Sequence, residues 1–167
     1  MNNPGSPYPT ERDRIRAFLG DQSFYCNVRF LTDAYNGHNY NLQYSVTPGL
    51  HATDLLPTFY NLNVDLNAIL GGSIPLVPGF GGFAQAYQSY LVSHARSGDP
   101  NTFKKTVGVP PAVTWPRPDN SGDTLKGVLN AGDLGFSVIQ DEKVGKEKCR
   151  FWRDIAERVT KAGPYVS

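Results

Sequence analysis

The apolar positions along the chain change period several times, and each change marks an element. Thr10 ahead of Glu11 and Asp13 reads as a helix N-terminus with acids in its first turn, and Ile15, Phe18 and Leu19 supply its apolar stripe. Gly20 is expected to stop that helix, and Asp21 or Ser23 to cap a second one. In it Phe24, Val28, Leu31 and Tyr35 recur at i, i+4, i+7 and i+11 before Asn36-Gly37 ends the run. At residues 41–46 the period falls to two, with Leu42, Tyr44 and Val46 on one face of a strand that meets a core. Pro48 then removes a ladder donor and Gly49 tolerates a positive φ, so the backbone leaves the sheet and Leu50 and His51 project from the strand's carboxyl end. Residues 54–60 read as a short helical segment packing back beneath that loop.

Residues 62–82 mix a weak apolar run with Gly71, Gly72, Pro75, Pro78, Gly79, Gly81 and Gly82, the composition of an irregular connection. A phosphate cradle is not indicated, because no Lys followed by Ser or Thr closes the glycine-rich stretch. Phe83, Tyr87, Tyr90, Leu91 and His94 mark one face of a long helix that stops at Gly98, and this aromatic stripe reads as core. Residues 100–123 form a Pro-, Asn- and Ser-rich surface passage anchored by Trp115-Pro116. Residues 125–129 and 136–139 are short strands of a terminal hairpin, and 146–161 a closing helix whose stripe is Phe151, Trp152, Ile155, Ala156 and Val159, ended by Gly163-Pro164.

Helices alternating with strands make the class α/β. With 167 residues, 40% hydrophobic and 19% charged, the chain is long and apolar enough to bury a core. Sixteen basic against fifteen acidic residues leave a net charge of +1, which points to neither nucleic acid nor an anionic membrane as partner. No window approaches the roughly 20 apolar residues of a transmembrane segment. Residues 1–9 are polar and proline-rich, a mobile lead-in without the pattern of a secretory leader.

Among three histidines, His51 occupies the position of most chemical interest. A residue on a loop outside the carboxyl end of a sheet strand sits where open α/β sheets keep their ligands. An unperturbed imidazole pKa of about 6.5 suits it to proton transfer near neutral pH. His38 lies in a Gly-His-Asn turn and His94 on a helix face, and both read as structural or exposed. No histidine pair has helical i, i+4 spacing and the two cysteines are far apart, so neither a metal site nor a cofactor is indicated.

The order Phe24-Tyr25-Cys26-Asn27, Tyr44-Ser45-Val46, Pro48-Gly49-Leu50-His51, Asp54-Leu55 and Phe59-Tyr60-Asn61 resembles the histidine region of the type B carboxylesterase and lipase family, particularly its fungal members. Tyr90-Leu91, Ser97-Gly98-Asp99-Pro100-Asn101, Trp115-Pro116 and Cys149-Arg150-Phe151-Trp152 stand in the order that closes such enzymes, so the resemblance covers about residues 10–155. It implies the C-terminal portion of an α/β-hydrolase fold, an incomplete sheet with flanking helices and a terminal hairpin. Residues 10–167 would form the C-terminal part of a carboxylesterase type B domain.

By the same resemblance His51 is the triad histidine, an ester or lipid is the substrate, and the protein is extracellular. Asp54 matches a position where the family carries an acid; it either orients the histidine loop or caps the turn that follows. Cys26 and Cys149 are either bridged, as befits a secreted protein, or two buried thiols. The sequence departs from the family in what it lacks: it contains no Gly-x-Ser-x-Gly elbow, Gly71-Gly72-Ser73-Ile74-Pro75 being the nearest run, no HGGG-like stretch, and no glutamate ahead of His51 but Glu11, too close in sequence to match the family's acid. Two readings follow. Either the chain is the C-terminal segment of a carboxylic ester hydrolase that supplies His51 to a nucleophile and acid located elsewhere, or it is a freestanding non-catalytic remnant or binding protein of the same fold. An independent nucleophile at Ser45 or Tyr44 is disfavoured, since six or seven extended residues place it about 20 Å from a turn histidine.

Overall fold

The computed structural model describes residues 6–47, 49, 52–61, 79–106 and 110–162. Pro48, Leu50, His51, most of the glycine-rich passage including residues 71–75, and Gly163-Pro164 lie outside the described residues. The chain divides into two compact units, one made of residues 1–39, 117–126 and 140–167 and the other of residues 40–116 and 127–139.

The first unit is helical. Thr10 caps α1 (Glu11–Gly20) by accepting the Asp13 N–H on its hydroxyl, as the first-turn pattern requires. Gly20 does not stop the helix. It keeps right-handed dihedrals (φ −61°, ψ −47°), and the run continues through a π-helical turn, Asp21–Tyr25, into α2 (Cys26–Ala34). Gly20 makes room instead: a Cβ there would sit 2.7 Å from the Tyr25 ring. The expected break at Asn36-Gly37 is present, with both residues at positive φ and the Gly37 N–H bonded to the Thr32 carbonyl at 2.9 Å. The closing helix, α5 (Lys146–Ala162), is joined to α2 by a disulfide between Cys26 and Cys149, whose Cα atoms are 5.0 Å apart.

The apolar stripes of this unit face the wrong way for the expected core. Ile15, Phe18, Leu19, Phe24, Val28, Leu31 and Tyr35 are all exposed, and α1 has no buried residue. The buried side of α2 is Cys26, Arg29 and Thr32. Arg29 is 1% exposed; its Nε reaches both Asp33 oxygens at 3.2 Å, Nη1 the Asp123 carbonyl at 2.8 Å, and Nη2 the carbonyls of Asn120 and Gly122 at 2.8 and 3.1 Å. Asp123 in turn accepts the N–H groups of Lys146 and Glu147 and so caps α5. Buried Asp21 pairs with Lys148 at 2.7 Å. A covalent bridge and a saturated guanidinium share the interior with Leu125 and Val144, while Tyr25, Phe30 and Trp152 are only half-buried, Trp152 packing edge to face on the exposed Phe18 ring.

The second unit has the expected arrangement. β1 (Leu42–Tyr44) lies parallel to β2 (Leu125–Gly132), with Leu42 beside Leu129 and Tyr44 beside Ala131, and β3 (Gly135–Asp141) flanks β2 across the two-residue turn Asp133-Leu134. The small sheet is therefore mixed, in keeping with an α/β class. Its strands run longer than the hairpin expected from residues 125–129 and 136–139, because Asn130 and Ala131 pair with β1 where turn-forming composition suggested a loop. On the sheet packs α4 (Phe80–Ser97), which starts at Gly79 and ends at Gly98, both at positive φ. Phe80, Phe83, Ala84 and Tyr87 meet Val46 and Ala131, while Tyr90 meets Trp115, Ala112 and Leu129. Trp115 is the anchor expected of it: 6% exposed, its Nε1 donates to the Asn41 carbonyl at 3.0 Å. Leu91 and His94, at the margin of the same stripe, remain exposed.

Candidate functional site

The segment that leads to His51 leaves β1 under close restraint, although His51 itself is outside the described residues. Past Tyr44 the ladder continues for one more bond, from the Ser45 N–H to the Ala131 carbonyl at 2.8 Å. The Ser45 hydroxyl donates to Asn130 Oδ1 at 2.7 Å. Thr47 then meets the tip of the β2–β3 hairpin: its N–H donates to one oxygen of Asp133 at 2.7 Å and its hydroxyl to the other at 2.5 Å. Those two bonds, the hydroxyl's first, hold the Asp133 carboxyl below the usual carboxylate range.

The chain turns immediately afterwards. The Gly49 N–H bonds the Val46 carbonyl at 2.7 Å with Gly49 at φ 63°, a conformation glycine adopts without a side-chain clash. Ala52, directly after His51, has φ 70°, which costs a residue with a Cβ about 1–3 kcal/mol and persists where the surroundings enforce it. The Leu55 N–H bonds the Ala52 carbonyl at 3.1 Å, leading into α3 (Leu55–Thr58), the short helix expected at 54–60. Gln88 of α4 secures the far end of α3 by donating to the carbonyls of Thr58 and Tyr60 at 3.2 and 2.8 Å.

Asp54 sits at the head of α3, and its side chain does not serve as the helix cap. Its backbone carbonyl accepts the Thr58 N–H and hydroxyl, at 3.3 and 2.7 Å. The Asp54 charge is felt by two tyrosines packed edge to face with centroids 6.2 Å apart, Tyr44 and Tyr87. Burial first, then the neighbouring Tyr87, Asp54 and Asp133, push the Tyr44 phenol up to about 12. Burial and Asp54 push Tyr87 to about 12 against the opposing hydrogen bond with Thr58. A phenol so hard to ionise is a poor nucleophile near neutral pH, and the Ser45 hydroxyl is committed to Asn130, so neither residue gains a case as an attacking group.

Beside this segment an open concavity of about 430 Å³ is lined by Ser45, Asn130, Asp133, Leu134, Phe136 and Ser137. Of the other histidines, His38 is exposed with Nδ1 2.7 Å from an Arg117 nitrogen, and His94 is exposed at the end of α4 against the Tyr40 ring. Among the described residues no three His, Cys, Asp or Glu side chains are grouped to hold a metal ion, and no helix is long and apolar enough to cross a membrane. Sequence reasoning singled out His51 and Asp54 and missed Asp133. An Asp-Leu pair between two glycines reads as turn chemistry, and no local signal announces a partner 86 residues away.

Three fungal proteins resemble the chain over most of its length. A secreted lipase of Arthroderma benhamiae is 34% identical over 149 residues, 89% of this chain and 27% of the relative. A carboxylesterase patB of Aspergillus clavatus is 28% identical over 149 residues, 89% of this chain and 23% of the relative. A carboxylesterase patB of Penicillium expansum is 27% identical over 156 residues, 92% and 23%. The chain thus spans about a quarter of the length of the curated relatives it matches. No protein-family profile and no solved structure matches it.

Proposed function

This chain belongs to a carboxylesterase/lipase-like family, and on that premise we propose that residues 10–167 are the C-terminal part of a type B α/β-hydrolase domain that hydrolyses carboxylic or lipid esters. His51 is its triad histidine. The observation that carries the reading is the match of nearly nine-tenths of the chain to proteins named lipase and carboxylesterase. The local geometry supports it: a parallel strand with one hydrogen-bonded neighbour among the described strands leads to Thr47, held by Asp133 four residues ahead of His51 in the sequence.

In this reading the imidazole takes the proton of an attacking serine as the acyl–oxygen bond forms, then returns it to the departing alkoxide. The nucleophile and the acid are contributed by residues outside this chain, since no Gly-x-Ser-x-Gly elbow occurs within it. An extracellular setting is supported by the Cys26–Cys149 bridge and by the relative named a secreted lipase.

The test is a chimera in which this chain replaces the matching 149-residue region of the Arthroderma lipase. The chimera is expected to hydrolyse a short-chain nitrophenyl ester and to lose that activity on His51→Ala. The chain alone should not exceed an imidazole blank or take up a serine-directed fluorophosphonate, because a triad stripped of its nucleophile retains little. A folded but inactive chimera, or activity that survives His51→Ala, overturns the assignment.

A further inference from the structure

We infer that the outward face of α2, carrying Val28, Leu31 and Tyr35, is the surface on which the rest of the family's domain docks. The partner is a polypeptide presenting apolar residues, from the part of the curated relatives that this chain does not match. The inference rests on the proposal that residues 10–167 are one part of a larger domain, and it assigns that part a contact surface. Val28, Leu31 and Tyr35 recur at i, i+3 and i+7, which lines them up along one side of the helix, and they are 39, 58 and 61% exposed. Their exposed neighbours Asn27 and Ala34 are uncharged.

Charge separates this face from the other exposed apolar positions of its unit. Ile15 of α1 stands between exposed Arg14 and Arg16, and Val159 of α5 follows exposed Glu157 and Arg158. From residue 17 to residue 36 the charged side chains are Asp21, Arg29 and Asp33, and each is committed elsewhere. Asp21 is buried against Lys148, and Asp33 is bonded to the buried Arg29. A helix side meant for water carries charge opposite its buried side. Depletion of charge marks instead the core of a permanent interface. A lipid surface fits less well, because a helix lying on one carries lysine or arginine along its polar face. The relatives indicate what the partner is: the match takes in 23–27% of each, so most of each lies outside it. In the chain α2 also precedes β1, which pairs in parallel, and the helices of parallel α/β folds keep one side apolar for strands to cover.

The experiment is maleimide labelling of Leu31→Cys, with Val159→Cys as the control, in the intact chain and in the chimera with the Arthroderma lipase, without reductant. In the chain alone both thiols should react freely. In the chimera the Leu31→Cys rate should fall about tenfold or more, while Val159→Cys is unchanged. Equal reactivity of Leu31→Cys in the chain and the folded chimera overturns the inference, and equal protection of both positions overturns its placement on α2. Protection already present in the chain alone also overturns it: if it persists on dilution the chain's own residues cover the face, and if it is lost a second copy does. Protection that the chain gains only from phosphatidylcholine vesicles, and that the chimera does not reproduce without them, gives the face to lipid and overturns it too. If the first chimera does not fold, the Aspergillus clavatus carboxylesterase supplies the second, and failure of both to fold counts against the docking face. Ester hydrolysis is read separately. An inactive chimera that protects Leu31→Cys upholds the docking face and refutes the hydrolase reading; an active chimera that leaves it open does the reverse.

Discussion

The two units of the molecule treat the same kind of helix pattern in opposite ways. In the sheet-bearing unit the Phe83, Tyr87 and Tyr90 stripe of α4 is 1–4% exposed and packed on Phe136, Trp115 and the strand residues. In the helical unit the equally regular Phe24, Val28, Leu31 and Tyr35 stripe of α2 is 39–61% exposed, and an arginine, a threonine and a half-cystine take the interior. Periodicity reports that a helix has an apolar face; whether that face turns inward depends on what stands opposite. A mixed sheet offers α4 an apolar surface. The helical unit offers α2 a row of loop carbonyls and a cysteine, which only a donor-rich side chain and a second cysteine satisfy.

The largest expected effect breaks the comparison at its covalent point. Removing the bridge by Cys149→Ala, which opens a crosslink spanning 123 residues, should cost about 4–5 kcal/mol in the chain-entropy model. Hydrogen exchange should rise first in α2 and α5 and leave α4 protected; equal loss in α4 would show that the bridge does not act on the helical unit alone. Next is a matched pair. Arg29→Leu makes the interior of the helical unit more hydrophobic, yet should destabilise by about 3–5 kcal/mol because Asp33 and three carbonyls lose their donor. Phe83→Ala should cost a similar 3–5 kcal/mol through a cavity in the other unit. Urea midpoints that barely move in the arginine variant would remove the polar-interior account.

Alkaline titration sharpens the contrast further. Tyr44, Tyr87 and Tyr90 all sit in the sheet-bearing unit, and burial raises each phenol from 10.0 to about 12. A group whose folded pKa lies above its unfolded value contributes stability that is complete below pH 10 and disappears as pH climbs through 12. Absorbance of ionised tyrosine should therefore rise together with loss of protection in α4 over that window. The smallest effect is on the open stripe: Leu31→Gln should change stability by no more than about 0.5 kcal/mol while reducing self-association in sedimentation runs. A loss of more than about 2 kcal/mol would mean that the stripe is covered in solution.

Element positions were largely legible along the chain, since caps, glycine stops and periods are local signals. Thr10, Asn36-Gly37, Gly98 and the strand around Leu42 to Tyr44 stand where those signals put them. Gly20 misled because a glycine that ends a helix and one that admits a neighbouring ring look alike in one dimension, and only the Tyr25 contact tells them apart. Around the proposed site, the order of Pro48, Gly49, His51, Asp54 and Leu55 was legible as a family resemblance. Asp133 and Thr47 were not, because a hydrogen bond across 86 residues leaves no period.

The sequence by itself therefore determined where most of the helices and strands lie, the α/β class, and the resemblance to fungal esterases, because each rests on short-range sterics or on residue order. Tertiary structure alone decided that Cys26 meets Cys149, that Arg29 lies inside while Phe24 lies outside, and that Asp133 fastens the segment leading to His51. Those outcomes depend on which distant groups share a small volume, and the free energy of satisfying a buried donor or closing a long loop is set by that meeting.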